Sequence, residues 1–338
     1  MIRTKTTVVV GAGAAVEIDL PDPRELLNRV AQGFDFQRLG TDLETEEMRD
    51  FDAFFKKVKG KREALHEAAI RIRAGSRLSS SMHALLQQHG DDQHVLAVGK
   101  LAMAYYTLRA EAHSLVESEP RDPGDMPLRG SENWLFQLAR MVVDGVPRAR
   151  AESCFDNLHI VNFNTDRAIQ HYMPWALSSA FGMDVTEAQE LCAEKLKVIQ
   201  PFGRAGRLDW QPGSEEVADW GAQDSDKLFT LAECIRTAGE FLDDRAARAT
   251  LYNGLGKARR IVFLGFGFNA METALLFDER LTQAPEALAA LRESETDQHD
   301  NVRRVLNAIG GISTEAIIGL PVTHSWKLLR DYNALLES

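Results

Sequence analysis

Hydrophobic residues along the chain form two recurring patterns. Short runs rich in apolar, β-branched residues lie at 8–10, 158–163, 197–199 and 260–264, and such runs predict strands buried in a sheet. Elsewhere, apolar residues recur at intervals of three and four, which is typical of helices with one buried face. Because the two patterns alternate, we expect an α/β fold, a Rossmann-like doubly wound parallel sheet with helices on both faces.

The helical pattern predicts how the chain is divided. A helix is expected from about Pro23 to Gly33, with Asp22 as its N-cap and its N-terminus facing the turn after the first strand. Residues 43–145 have helical spacing almost throughout and no convincing strand, and residues 277–338 also have a helical pattern. We therefore predict a sheet domain of residues 1–34 and 156–338, with residues 35–155 as a large helical insertion.

Composition and charge argue against several classes of partner. The 338 residues carry a net charge of -11, which disfavours binding to nucleic acid or to an anionic membrane. No apolar stretch approaches the ~20 residues of a membrane helix, and the N-terminus lacks a signal-peptide pattern, so we expect a soluble, cytoplasmic protein. Cys154, Cys192 and Cys234 are isolated, so neither a disulfide framework nor a metal site is expected. Whether the chain forms a homo-oligomer stays open.

Four turns follow the predicted strands and contain glycine or Asn/Asp residues. They are Gly11-Ala12-Gly13, the segment 162–167, the segment 200–208 with two glycines and two arginines, and the segment 265–269. Since the carboxyl ends of parallel strands meet at one edge of a sheet, these turns are expected to surround one ligand site. Glycine there permits close approach of a phosphate, and Asn or Asp can hydrogen-bond a ribose.

Each turn also has an ordinary structural interpretation. Glycines are common in tight turns, and Asn164 and Asp166 are residue types preferred where a strand turns into a helix. The dinucleotide pattern G-x-G-x-x-G is incomplete, because Val16 occupies the place of the third glycine. A dinucleotide site would therefore belong to a variant of that fold.

Taken in order, the turns resemble those of the sirtuin-type NAD-binding family, most closely the bacterial sirtuin-like proteins that lack the zinc module. Residues 11–15 resemble the GAGxS loop, and Leu20-Pro21 resembles the leucine-proline that follows it. Residues 162–166 resemble the TxNxD motif, residues 201–206 resemble the segment around the HG dipeptide, and residues 265–268 resemble the late glycine loop. The resemblance spans roughly residues 5–275, apart from the helical insertion.

This resemblance implies NAD+ as the ligand and, in active members, cleavage of the bond between nicotinamide and ribose. Asn164 would position the ribose or the attacking water, and Asp166 would fix the nicotinamide end or the local hydrogen bonds. The two glycine turns would approach the phosphates and the adenosine ribose, with Arg204 as a phosphate partner or simply a solvated side chain. The implied cofactor-binding residues are Gly11, Ala12, Gly13, Ala15, Leu20, Pro21, Phe202, Gly203, Arg204, Gly265, Phe266, Gly267 and Asn269.

The chain departs from the family pattern at positions that matter for chemistry. Phe202 stands where the family has the histidine that acts as general base, and Ala15 replaces a small hydroxyl residue. His171, on the helix after Asp166, is a poorly placed substitute. Five further histidines could face the site only if the helical insertion folds over it: His66, His83, His89, His94 and His113.

Three functions remain in competition at this level. The first is an NAD+ glycohydrolase that releases nicotinamide, of the kind used in bacterial stress or antiphage responses. The second is a non-catalytic module that senses NAD+ or ADP-ribose, which the substitution by Phe202 favours. The third is a helical scaffold on a sheet with no ligand at all.

Overall fold

A computed structural model describes residues 1–36, 45–122, 124–222, 226–290, 296–320 and 324–336. Within these residues, six parallel strands form one sheet in the order β3-β2-β1-β4-β5-β6. The strands are β1 (Thr6–Val10), β2 (Leu158–Asn162), β3 (Val198–Ile199), β4 (Arg260–Leu264), β5 (Glu286–Ala290) and β6 (Ile317–Leu320). Strand order reverses at β1, as it does in doubly wound folds. The predicted α/β, Rossmann-like sheet is therefore confirmed.

Helices surround the sheet, and most occur where the apolar spacing predicts them. They are α1 (Ala12–Val16), α2 (Pro23–Gly33), α3 (Glu46–Lys57), α4 (Arg62–Gly75), α5 (Met82–Gln88), α6 (Gln93–His113), α7 (Trp134–Val143), α8 (Ala168–Phe181), α9 (Val185–Lys195), α10 (Leu228–Glu233), α11 (Ala238–Asp243), α12 (Arg245–Lys257), α13 (Ala270–Leu276), α14 (Thr296–Ala308), α15 (Ser325–Asp331) and α16 (Asn333–Leu336). Short 3-10 helices lie at Arg148–Ser153 and Thr314–Ala316. Asp22 caps α2 as predicted, by accepting a hydrogen bond from the Glu25 N–H at 2.7 Å.

The prediction that residues 277–338 are helical is wrong, because β5 and β6 lie there. The sequence of β5, Glu-Ala-Leu-Ala-Ala, consists of strong helix formers and gives no period-two signal. Its residues 287–289 are fully buried, and Leu288 is level with Val262 of β4. Pairing with β4 therefore makes this segment a strand, although its residues favour a helix. Parts of this stretch lie outside the described residues, namely 291–295, 321–323 and 337–338. The same is true of residues 37–44 in the predicted insertion.

Alternate residues of the strands pack into different hydrophobic clusters. Val8 and Val10 of β1 face α7, α8 and α15, whereas Val9 faces the opposite side of the sheet, which α11, α12 and α13 cover. A third cluster among the described residues joins α2–α6 with α10. Helix α7 therefore packs on the sheet, although the sequence-based division placed it in the insertion, and α2 packs with the insertion helices.

Among the described residues, no helix is both long enough and apolar enough to cross a membrane.

Candidate functional site

A cleft opens at the carboxyl ends of β1 and β2, beneath the insertion helices. The space between its walls is about 690 Å³, a figure that includes space open to solvent. The turns after β1 and β2 form one wall, and helices α2, α5 and α6 form the other. The lining residues are Ala12, Ala15, Leu20, Pro21, Pro23, Leu26, Ser81, Met82, His83, Met103, Thr107, Ala110, Phe163, Asn164, Thr165, Asp166 and Glu272.

The turn after β1 brings four of the sequence-predicted residues to the cleft: Ala12, Ala15, Leu20 and Pro21. Gly11 is the N-cap of the one-turn helix α1, so the small-residue turn is itself the beginning of a helix. The Trp134 indole N–H donates to the carbonyl oxygen of Ala14 at 2.8 Å, which fixes α1 against α7. The methyl side chains of Ala12 and Ala15 leave room for a ligand at this wall.

The glycines of the first and last turns hold these two turns together. The N–H of Gly13 donates to the Gly265 carbonyl at 2.9 Å, and the N–H of Gly11 donates to the Leu264 carbonyl at 2.9 Å. A Cβ on Gly11 would lie 2.7 Å from the Gly265 oxygen, and a Cβ on Gly265 would lie 2.0 Å from the Ala14 nitrogen. These glycines are required for contact between two turns, and none of them lines the cleft.

The turn after β2 places Asn164 and Asp166 in the cleft wall. The Asn164 amide Nδ2 donates to the carbonyl oxygen of Gly11 at 3.2 Å, which joins this turn to the one after β1. Asp166 Oδ1 accepts a hydrogen bond from the Ala168 N–H at 2.9 Å, at the start of α8. Asp166 therefore serves both as a helix-terminal acceptor and as a cleft residue, so the two interpretations of the sequence do not exclude one another.

The cleft is acidic and poorly solvated. Burial raises the pKa of Asp166 from its ordinary 3.8 to about 6, and the negative charge of Glu111 acts in the same direction. Burial also raises the pKa of Glu272 on α13, against a hydrogen bond from Asn269. Among the described residues that line the cleft, none is lysine or arginine. The site is therefore suited to a ligand group that carries or develops positive charge.

A buried ion pair fixes the Asn164–Asp166 turn to the insertion. The Arg167 guanidinium and the Glu111 carboxylate are both fully buried and paired, with Arg167 Nε donating to Glu111 Oε1 at 3.1 Å. The Arg167 N–H also donates to the same carboxylate at 3.0 Å. Close by, the hydroxyls of Thr107 and Thr165 share a hydrogen bond of 2.9 Å. Helix α6 and the turn after β2 thus form one rigid wall.

His83 is one of the five histidines that could face the site only if the insertion folds over it, and of these five it is the one among the residues that line the cleft. Ser81 caps α5 by accepting from the Ala84 N–H at 3.1 Å, and the helix places the His83 ring over Phe202. The two rings stack with centroids 3.6 Å apart and planes inclined by 15°. Burial lowers the pKa of His83 to about 3, so the imidazole is neutral. Only the folding of the insertion over the sheet, which no local pattern encodes, brings this residue to the cleft.

The turn after β3 supports the cleft from behind and does not line it. Phe202 is fully buried, with its ring edge-on to Phe163 at 5.8 Å. Gly203 has φ of +69°, and a Cβ there would lie 2.0 Å from the Cys234 oxygen. Arg204 lines a different cavity, and its Nε and Nη2 bind the Glu215 carboxylate at 2.8 and 2.6 Å. The expectation that these residues contact the cofactor therefore finds no support in their placement.

The turn after β4 likewise lies next to the cleft. Phe266 packs against Phe163, with ring centroids 5.2 Å apart, and Gly267 is exposed. Asn269 accepts from the Glu272 N–H at 2.9 Å and so caps α13, the helix that brings Glu272 to the cleft. The sequence carries no signal that distinguishes Glu272, because a single glutamate on a helix is ordinary.

His171 does not substitute for a base in the cleft. Its ring stacks on Trp220 with centroids 4.6 Å apart, and its Nε2 lies 2.9 Å from the Glu117 carbonyl oxygen. Burial lowers its pKa to about 4. The thiols are no better placed as nucleophiles, since burial raises the pKa of Cys154 to about 12.

A scan against protein-family models finds no match to this chain, and a search of the curated proteins finds none either.

Proposed function

We propose that this chain binds NAD+ and hydrolyses the bond between its nicotinamide and its ribose. The observation that carries the proposal is the convergence of Asn164, Asp166 and the small-residue turn at Ala12 on one cleft. These are the residues that resemble the sirtuin-like motifs, and they are far apart in the chain. Both residues also make structural hydrogen bonds, so the support for a ligand is that Asn164, Asp166 and Ala12 line the same cleft.

The reaction requires stabilisation of positive charge on the ribose. The bond from ribose C1′ to the pyridinium nitrogen breaks, its electron pair goes to that nitrogen, and neutral nicotinamide leaves. The sugar becomes an oxocarbenium ion, to which the oxygen of water adds while a proton departs. Ionised Asp166 and Glu272 are suited to stabilise this cation, and Asp166 is suited to accept the proton near neutral pH.

The charges of the cleft favour one half of the dinucleotide. Its described lining contains two carboxyl groups and no cationic side chain. Because phosphates prefer cationic partners and the pyridinium ring is itself cationic, we place the nicotinamide riboside in the cleft and the pyrophosphate outside it. Arg204 is left out of the proposed phosphate contacts, since its guanidinium is paired with Glu215.

A second candidate is a module that senses NAD+ or ADP-ribose without consuming NAD+. Phe202 favours this candidate, because a fully buried phenyl ring stands where the sirtuin-like pattern has a base. In that case the protein would bind the nucleotide without cleaving it, and the insertion helices would transmit the signal that the site is occupied. For the hydrolase, the biological setting that the resemblance suggests is a bacterial stress or antiphage response.

The test is release of nicotinamide from NAD+ by the purified protein, followed by chromatography. We expect turnover by the wild type and a loss of roughly 100-fold in Asn164→Ala, because the ribose or the attacking water would no longer be held in position. Asn253→Ala, at an exposed position of α12, is the matched control and should behave as the wild type.

Calorimetry separates the two candidates. Binding of NAD+ with no nicotinamide released over hours would replace the hydrolase with the sensor. If the wild type binds neither NAD+ nor ADP-ribose, both candidates are wrong.

A further inference from the structure

The insertion contributes a rigid imidazole to the cleft. His83 is half-buried and lines the cleft from α5, whose neighbouring residues Met82, Leu85 and Leu86 are buried in the helical cluster. One face of its ring is covered by Phe202, which in turn packs against Phe163 of the cleft wall. The ring therefore cannot rotate freely, and its hydrogen-bonding edge has a fixed direction.

The polar atoms of this ring are incompletely satisfied. Nδ1 of His83 is shielded from solvent and has no hydrogen-bond partner among the described residues. A buried polar atom without a partner costs free energy, so a purely structural role would be better served by phenylalanine at this position. Nε2 is the nitrogen left for a ligand in the cleft. The stacked imidazole thus combines an orphaned nitrogen with a location at the proposed site.

A neutral ring is suited to binding more than to proton transfer. The neutral ring does not take up a second proton near neutral pH, because burial disfavours its charged form and lowers its pKa. A group with so low an affinity for protons is a weak general base, but it keeps a constant hydrogen-bonding state across the physiological pH range. The titratable groups that share the cleft with it are Asp166 and Glu272.

We propose that His83 contacts the ligand directly, through a hydrogen bond between its Nε2 and a hydroxyl of the ribose that carries nicotinamide. The imidazole acts as a fixed, neutral partner and not as the general base. This inference rests on the proposed function, and it makes the insertion part of the binding site.

Two substitutions separate binding from packing. His83→Phe keeps the stack on Phe202 and removes the hydrogen bond, whereas His83→Gln keeps a hydrogen-bonding group and removes the aromatic ring. ADP-ribose is the calorimetric probe, because it retains the ribose hydroxyls and is not consumed. We expect His83→Phe to weaken ADP-ribose binding about tenfold and His83→Gln to bind within about threefold of the wild type. His89→Gln, at the C-cap of α5 and outside the cleft lining, is the control and should match the wild type.

The pH profile of NAD+ hydrolysis gives the second readout. We expect His83→Gln to keep the acid limb of the wild-type profile, because the titrating group is a carboxyl. The inference is overturned if His83→Phe binds ADP-ribose as the wild type does, or if the acid limb disappears in His83→Gln. Either result leaves the NAD+ function intact, whereas failure of the wild type to bind ADP-ribose or NAD+ removes both proposals. Circular dichroism spectra and melting temperatures establish that each variant is folded.

Discussion

At the scale of single residues, two features of Asp166 shift its pKa in opposite directions. Its carboxylate accepts from the Ala168 N–H at the start of α8, which favours the ionised form. Its burial in the cleft wall disfavours that form more strongly, and its pKa rises to about 6. The sequence predicted Asp166 as a cap or a site residue, but no sequence pattern reports the burial that determines its ionisation.

Asp166→Asn should therefore stabilise the fold while abolishing hydrolysis. The pKa of Asp166 is higher in the folded than in the unfolded chain, so its contribution to stability is present below about pH 4 and is lost as the pH rises through about 6. The asparagine oxygen still accepts from Ala168 and carries no charge. We expect the free energy of unfolding to increase by up to about 3 kcal/mol at pH 7, the equivalent of roughly two pKa units.

Urea unfolding between pH 5 and pH 8 measures this difference. The gap between variant and wild type should widen up to about pH 6.5 and then stay constant. A gap that does not depend on pH would show that Asp166 is not a buried titrating group.

At the scale of elements, the turns after β1 and β4 form one unit. Their glycines resemble a phosphate-binding motif in the sequence, yet in the structure their Cα atoms face each other across a backbone contact. The reason is spatial: β1 and β4 are neighbours in the sheet, with Val10 level with Leu264, although some 250 residues separate them in the chain. Sequence reasoning correctly placed both turns at the carboxyl edge, but it could not tell which groups the glycines approach.

Gly265→Ala should disrupt this unit, and Gly267→Ala should not. Gly265 has φ of +58°, and a Cβ would lie 2.0 Å from the Ala14 nitrogen, whereas a Cβ on exposed Gly267 meets no atom within 4 Å. We expect Gly265→Ala to lower the free energy of unfolding by about 2–4 kcal/mol, through backbone strain and overpacking. The change for Gly267→Ala should stay below about 1 kcal/mol. Chemical denaturation compares the two, and equal effects would contradict the proposed contact.

At the scale of the whole molecule, a buried ion pair joins the insertion to the sheet domain. Glu111 lies on α6 of the insertion, and Arg167 is the residue before α8, a helix that packs on the sheet. Both side chains are fully buried. Arg167 also donates to the carbonyl oxygens of Ala218 at 2.5 Å and Asp219 at 2.9 Å. These bonds determine how far the helical wall stands from the Asn164–Asp166 turn, and hence the shape of the cleft.

Arg167→Met should be strongly destabilising, because it leaves the Glu111 carboxylate buried without its partner. We expect a loss of about 3–5 kcal/mol in the free energy of unfolding. Arg129→Met is the matched control: Arg129 pairs with Asp122 and Asp125 at the surface, and its loss should cost no more than about 1 kcal/mol.

A double variant, Glu111→Leu with Arg167→Met, should recover part of the stability lost in Arg167→Met, since no unpaired charge remains. Thermal and urea unfolding measure all three variants. If Arg167→Met were no worse than Arg129→Met, the pair would not be what joins the insertion to the sheet.

The sequence by itself determined the parallel sheet, four of its strands and the edge at which a ligand site would lie. It could do so because continuous apolar runs and helical spacing are local consequences of burial. Only the tertiary structure decided that β5 is a strand, since pairing with β4 overrides the helical preference of its residues. It also decided that His83 and Glu272 face the cleft and that Arg204 does not, because those placements depend on contacts between segments far apart in the chain.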